Sequence, residues 1–143
     1  MKYISVFILF LFVFSMKSYA QNNWTLKQQK DGISIFTKEV FCDVNKGFSR
    51  DLVLFKMINT NNVDVQVSFK INRWIDNLCL NCNSNSSEYY ISYDIQANQT
   101  IEGDCENFRS NNLSLFVKFN DDNYLNTPKV LTNYSIENLQ IID

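Results

Sequence analysis

From Val63 to Asn72 the chain alternates without a break. Val63, Val65, Val67, Phe69 and Ile71 are interleaved with Asp64, Gln66, Ser68, Lys70 and Asn72. Successive side chains of a strand point to opposite faces, so this pattern predicts a strand with one apolar face and one polar face. The same period returns at Tyr89, Ile91, Tyr93 and Ile95, and again at Leu113, Leu115, Val117 and Phe119. Leu52 to Ile58 is apolar except for Lys56, which fits a central strand covered on both faces, with a short helix as the alternative that period alone leaves open. Trp24–Gln29 and Ile33–Val40 flank Asp31-Gly32, a strong hairpin signal. Val44–Gly47 and Asn59–Asn62 read as turns, and polar loops are expected at 77–87, 97–100, 106–112 and 121–128. Val130–Ile141 is β-rich, but its phase slips near Glu137-Asn138, a candidate bulge.

No window carries an apolar period of 3.6 residues. About seven to nine short strands at this spacing predict an all-β fold, a single immunoglobulin- or fibronectin-III-like β-sandwich. A closed barrel is the alternative.

The first twenty residues stand apart from this pattern. Lys2 precedes an apolar run from Ile4 to Phe14, and Ser18-Tyr19-Ala20 offers small residues at the cleavage positions of a secretory signal. The run is too short to span a bilayer, which takes roughly 20 apolar residues. The expected organisation is therefore a signal peptide over 1–20, cleaved after Ala20, and a β-sandwich domain over 21–143. No second long apolar run follows, so no integral membrane segment is expected in the mature chain. Periplasmic or secreted localisation is the consequence.

Composition narrows the chemistry. Loss of residues 1–20 removes Lys2 and Lys17 and no acid, so the formal charge moves from −2 to −4. An acidic domain has no electrostatic pull toward nucleic acid. There is no histidine, which removes the commonest general base and metal ligand. The glycines are Gly32, Gly47 and Gly103, too scattered for a phosphate-binding loop, and the single proline is Pro128. No carboxylate pair reads as catalytic, and no cofactor or metal is expected. Asn120–Asn123 with Asp104 and Glu106 gathers oxygen ligands of the kind calcium prefers, but no ordered ligand loop accompanies them.

Four cysteines, Cys42, Cys79, Cys82 and Cys105, remain after cleavage. An even number in an exported chain favours disulfides, and four allow three pairings. Closeness in sequence favours Cys79–Cys82, which leaves Cys42 with Cys105. The competing reading of Cys79-Leu80-Asn81-Cys82 is a redox motif. Such a motif wants its first thiol at a helix N-terminus, and no helical pattern follows here. A zinc site would show a second close cysteine pair.

Trp74, Tyr90 and Tyr124, with Phe116, fall on outward positions or in loops and form a possible binding surface; packing is the alternative use of such rings. Asn23, Asn85, Asn98, Asn112 and Asn133 begin glycosylation sequons, which matter only in a host that glycosylates.

Several short stretches are similar to small exported proteins of the Bacteroidetes. They are Trp24-Thr25-Leu26 leading to Asp31-Gly32-Ile33, Leu52–Lys56 with Asn59-Thr60-Asn61, Cys79-x-x-Cys82, Gly103-Asp104-Cys105, and Leu113–Phe119. The resemblance implies an immunoglobulin-like sandwich in the periplasm or outside the cell, and it carries over no functional residue. The expected function is a non-enzymatic interaction or structural module, with loop 77–87 as its contact surface and an unknown protein or surface glycan as partner. The alternatives are a small-ligand or carbohydrate binder using Trp74 and the tyrosines, and a thiol redox protein using Cys79 and Cys82.

Overall fold

The computed structural model describes residues 24–43, 49–107, 112–120 and 129–142. The signal-peptide reading, the Val44–Gly47 turn, the 121–128 loop and Tyr124 lie outside these residues.

The first hairpin forms where the sequence places it. β1 (Thr25–Lys30) and β2 (Ile33–Cys42) pair antiparallel around Asp31 and Gly32. Both turn residues have positive φ, 46° and 77°, the backbone of a tight turn matched to the twist of the strands. β3 (Arg50–Asn59) pairs with the whole of β2. The chain then crosses to a second sheet built on β4 (Val65–Ile75). β9 (Leu131–Ile142) covers one edge of β4, while β5 (Leu78–Cys79) and β6 (Tyr90–Ile95) lie end to end along the other. A 3-10 turn, Ser87–Tyr89, leads into β6. β7 (Thr100–Glu102) and β8 (Ser114–Phe119) return to the first sheet, both on the free edge of β3.

The result is two antiparallel sheets facing one core, as in a β-sandwich. Ile33, Ile35, Val53, Phe55 and Met57 of the first sheet meet Val67, Phe69, Ile71 and Ile136 of the second. Phe55 packs on Phe69 with ring centroids 6.3 Å apart. β1, β2 and β3 follow one another in the first sheet; in an immunoglobulin domain the third strand already belongs to the opposite sheet. β3 is covered on both sides, as its apolar run predicts. Leu52 and Leu54 on its outer face pack with Cys42, Trp24 and Cys105, and the Lys56 ammonium lies 4.6 Å from the Trp24 ring.

β7 and β8 are two halves of one strand. Gly103 N–H donates to the Phe55 carbonyl at 2.9 Å, and Phe55 N–H donates to the Leu113 carbonyl at 2.9 Å. The chain therefore leaves the strand after Gly103 and rejoins it at Leu113, an excursion that starts and ends opposite Phe55. Cys105 lies on this excursion and is bonded to Cys42 at the end of β2, with Cα atoms 5.6 Å apart.

The crossing between sheets is organised by Asn59, which is buried. Its amide nitrogen donates to Val63 O (2.9 Å), Gln96 O (3.0 Å) and Ile95 O (3.3 Å), and its oxygen accepts from Asn61 N–H (2.9 Å). Val63 is thereby held in the crossing, ahead of β4, and is exposed rather than inward. The phase slip near Glu137-Asn138 is a bulge: Lys70 pairs with Glu137, Ser68 with Gln140, and Asn138 has φ 54°. The outer edge of β9 is closed by side chains of β1. Gln28 Nε2 donates to Ile136 O (2.8 Å) and Lys30 Nζ to Leu139 O (3.1 Å). Such capping disfavours edge-to-edge pairing at these two carbonyls.

Candidate functional site

The 77–87 region is more ordered than a polar loop. β4 ends in a two-residue turn, Asp76-Asn77, with φ 48° and 67°. Asp and Asn tolerate this conformation because their short side chains bond locally. The turn is pinned to the start of β9: Asp76 N–H donates to Val130 O (3.0 Å), and Asn77 N–H donates to Thr132 Oγ1 (2.9 Å). β5 then pairs Leu78 with Ile75 and Cys79 with Trp74.

Between β5 and β6 the edge of β4 lacks a strand partner over Ile71–Arg73. Asn81 fills that gap. Its oxygen accepts from Arg73 N–H at 2.9 Å, and its amide nitrogen donates to Ile71 O at 2.8 Å. Leu80 N–H donates to Arg73 O at 2.9 Å. Asn81 is buried, and its two bonds replace what a neighbouring strand would supply. Cys79 and Cys82 stand on either side of it, bonded to each other with Cα atoms 5.8 Å apart. Cys82 N–H donates to Cys79 Sγ at 3.1 Å.

This anchoring turns two leucines outward. Leu78 is 73% exposed and Leu80 is 61% exposed. It also brings loop backbone over Lys70, whose Nζ donates to Cys82 O at 3.3 Å. Lys70 and Asn72 occupy the polar phase of the alternation, which reads as solvent-facing, yet they are 3% and 2% exposed. That expectation is corrected, because the outer face of the second sheet has a cover of its own. The side-chain oxygen of Asn72 is buried there without a hydrogen-bond partner.

Trp74 and Tyr90 lie on the same outer face, and both are half-buried. Tyr90 is the register partner of Lys70, and its hydroxyl accepts from Asn138 Nδ2 at 3.2 Å, so its ring crosses β4. Trp74 is four positions further along β4, about 13 Å at strand spacing. The two rings flank the loop and do not form one stacking platform. Phe116 is on the first sheet, with its ring centroid 4.6 Å from that of Phe119.

A separate cleft of about 370 Å³ runs between the edges of β6 and β8. Ile71, Ile91 and Leu115 form its apolar part, with Arg73, Tyr89 and Ser92 among its polar walls. The Tyr89 phenol is raised above its usual range by its hydrogen bond to the Glu88 carboxylate, with Arg73 acting against the shift. Tyr93 donates its hydroxyl to the carbonyl of Asn112, a lining residue, at 2.8 Å, and burial pushes that phenol up. The Asp104 carboxylate is engaged within its own turn. It accepts from the N–H groups of Glu106 (2.8 Å) and Asn107 (2.6 Å) and is held below its usual range by these bonds, those from Asn107 foremost.

The pattern of the sequence reaches the two cysteine pairs and the location of the loop, but not Asn81, Lys70 or Asn72. The one available signal for Asn81 is its place between two cysteines just after a strand. No family model, curated protein or solved structure matches this chain. Among the described residues, no helix is long and apolar enough to cross a membrane.

Proposed function

We propose that this chain is an exported interaction module whose contact surface for a protein partner is the loop 78–86. The observation that carries the reading is the display of Leu78 and Leu80. Two large apolar side chains face solvent on a segment braced by a disulfide, by the Asn81 amide and by the ties to Val130 and Thr132. A rigid segment loses little conformational entropy on binding, so apolar area exposed on it is well placed to contribute affinity. Cleavage after Ala20 and residence in the periplasm or outside the cell belong to the same proposal. Two cysteine pairs at bonding distance support it, since disulfides persist in oxidising compartments. The immunoglobulin-like description is proposed for the layering and not for the connectivity, which keeps three successive strands in one sheet. The reading assigns no catalytic residue.

The test is capture from envelope extract by the wild-type protein and by a Leu78→Asp/Leu80→Asp variant. A partner held by the first and lost by the second supports the reading. Equal recovery by both proteins, or a specific partner for neither, overturns it.

A further inference from the structure

We propose that the Cys79–Cys82 disulfide exchanges with thiols of the protein that the loop contacts, which makes the contact surface a dithiol–disulfide site as well. The proposal rests on the reading of the loop as a contact surface and adds the chemistry of its partner.

Reactive cysteines sit in partly exposed, electropositive surroundings, whereas structural ones are buried. The two pairs of this chain differ by one sulfur: Cys105 is half-buried, as Cys79 and Cys82 are, but its partner is not. Cys42 is 1% exposed and packs among Leu52, Leu54 and Trp24. Cys79 and Cys82 are both half-buried, and they border a groove of about 390 Å³ lined by Cys79 to Ser84. Leu80 borders the groove too, and Leu78 stands beside it in sequence, so a peptide held by the leucines is delivered to the sulfurs.

No helix N-terminus supports the motif, and two other groups stand where it would act. The Cys82 N–H already points at Cys79 Sγ, a bond that strengthens when the sulfur carries negative charge. Lys70 brings a positive charge to the carbonyl of the same Cys82. Among the described residues no carboxylate pairs with this lysine, although it is 3% exposed. A buried ammonium without a counter-charge is costly. A thiolate on the Cys79–Cys82 segment that Lys70 contacts would supply one. The unpartnered Asn72 oxygen lies on the same face, two residues away, an unsatisfied acceptor near the lysine. The other titratable groups on the elements around the loop are Arg73 on β4, Asp76 in the turn, Glu88 and Tyr89 before β6, Tyr90, Tyr93 and Asp94 on β6, and Tyr134 and Glu137 on β9. Lys70 is the one whose side chain hydrogen-bonds the Cys79–Cys82 segment.

A partner thiolate attacks Cys79 Sγ, the new S–S bond forms, and the Cys79–Cys82 bond breaks with its electron pair left on Cys82 as thiolate. A second partner thiolate attacks the partner sulfur of the mixed disulfide. The partner disulfide forms, and Cys79 leaves as the thiolate stabilised by Cys82 N–H and Lys70. The partner dithiol loses two electrons and two protons, and the loop gains them. A partner disulfide and a reduced loop run the same steps backward.

The full chain with both disulfides is equilibrated with mixtures of reduced and oxidised glutathione, then alkylated, mass-measured and peptide-mapped. The expected result is that Cys79–Cys82 titrates over these mixtures while Cys42–Cys105 stays oxidised. In the reduced loop, alkylation of Cys79 is expected to have its midpoint below the ordinary thiol value of about 8.5, and Lys70→Gln is expected to raise that midpoint by about one pH unit. Cys82→Ser should accumulate a mixed disulfide with glutathione at Cys79. If neither pair exchanges, or both exchange together, the proposal falls. A wild-type Cys79 midpoint at the ordinary value also overturns it, and needs no variant to fold. Leu78→Asp/Leu80→Asp should keep glutathione exchange while losing partner capture, so failure of the contact surface and failure of the exchange are told apart.

Discussion

Gly103 and Leu113 stand side by side across the neck of an excursion, both hydrogen-bonded to Phe55. A β-carbon at position 103 would overlap the Leu113 carbonyl oxygen. Backbone, unlike the end of a flexible side chain, has little room to give. Gly103→Ala is expected to destabilise the fold by roughly 2 kcal/mol, read as a lower urea midpoint at unchanged slope. An unchanged midpoint would mean that the neck opens without resistance.

Asn81→Ala leaves Arg73 N–H and Ile71 O without their partners. The expected cost is roughly 2 kcal/mol. Amide exchange should locate it, with Arg73 losing protection before Phe69 or Ile71. Uniform loss across β4 would show that Asn81 acts on the whole sheet and not on its own stretch of edge.

The two disulfides should differ in worth. Cys42–Cys105 spans 63 positions and Cys79–Cys82 spans 3. Chain-entropy arguments give about 4 kcal/mol for the first and about 2 kcal/mol for the second. Paired serine variants at 42/105 and at 79/82, unfolded in urea, are expected to fall in that order. The reverse order would mean that the loop over Lys70 contributes more to the fold than the strap over Leu52.

Asp104 gives a pH dependence of known sign. Its folded value lies below the ordinary 3.8, so its bonds to Glu106 and Asn107 hold above that value and are lost as pH falls through the lower folded one. A carboxyl NMR titration should place the Asp104 midpoint below 3.8, with the Asn107 amide moving at the same pH. A midpoint at or above that value would show that the turn does not persist in solution.

Where local pattern decides structure, the sequence is readable. The Asp31-Gly32 hairpin, the double-sided β3, the alternation of β4 and the slip at Glu137-Asn138 all depend on neighbours along the chain. What escapes is set by distant segments. Lys70 and Asn72 occupy outward positions in any strand reading, and their burial is a property of the chain that folds back over them at Asn81 and Cys82. Asn59 and Asn81 are hidden for a different reason. In a chain so rich in asparagine, two buried amides look like any of the others until their partners are in place. The Asp76-Asn77 turn lacks the glycine that announces Asp31-Gly32, so its hairpin reads as loop.

The Cys42–Cys105 bond also has a mechanical meaning. β3, β4, β5, β6 and β7 all lie between its two ends. A pull on the termini can peel β1 and β2 from one side and β8 and β9 from the other, but it cannot draw out the segment in between. At full extension that segment would measure about 200 Å. Under shear or tension the protein would keep both strands that build its core, β3 and β4, within a closed covalent ring.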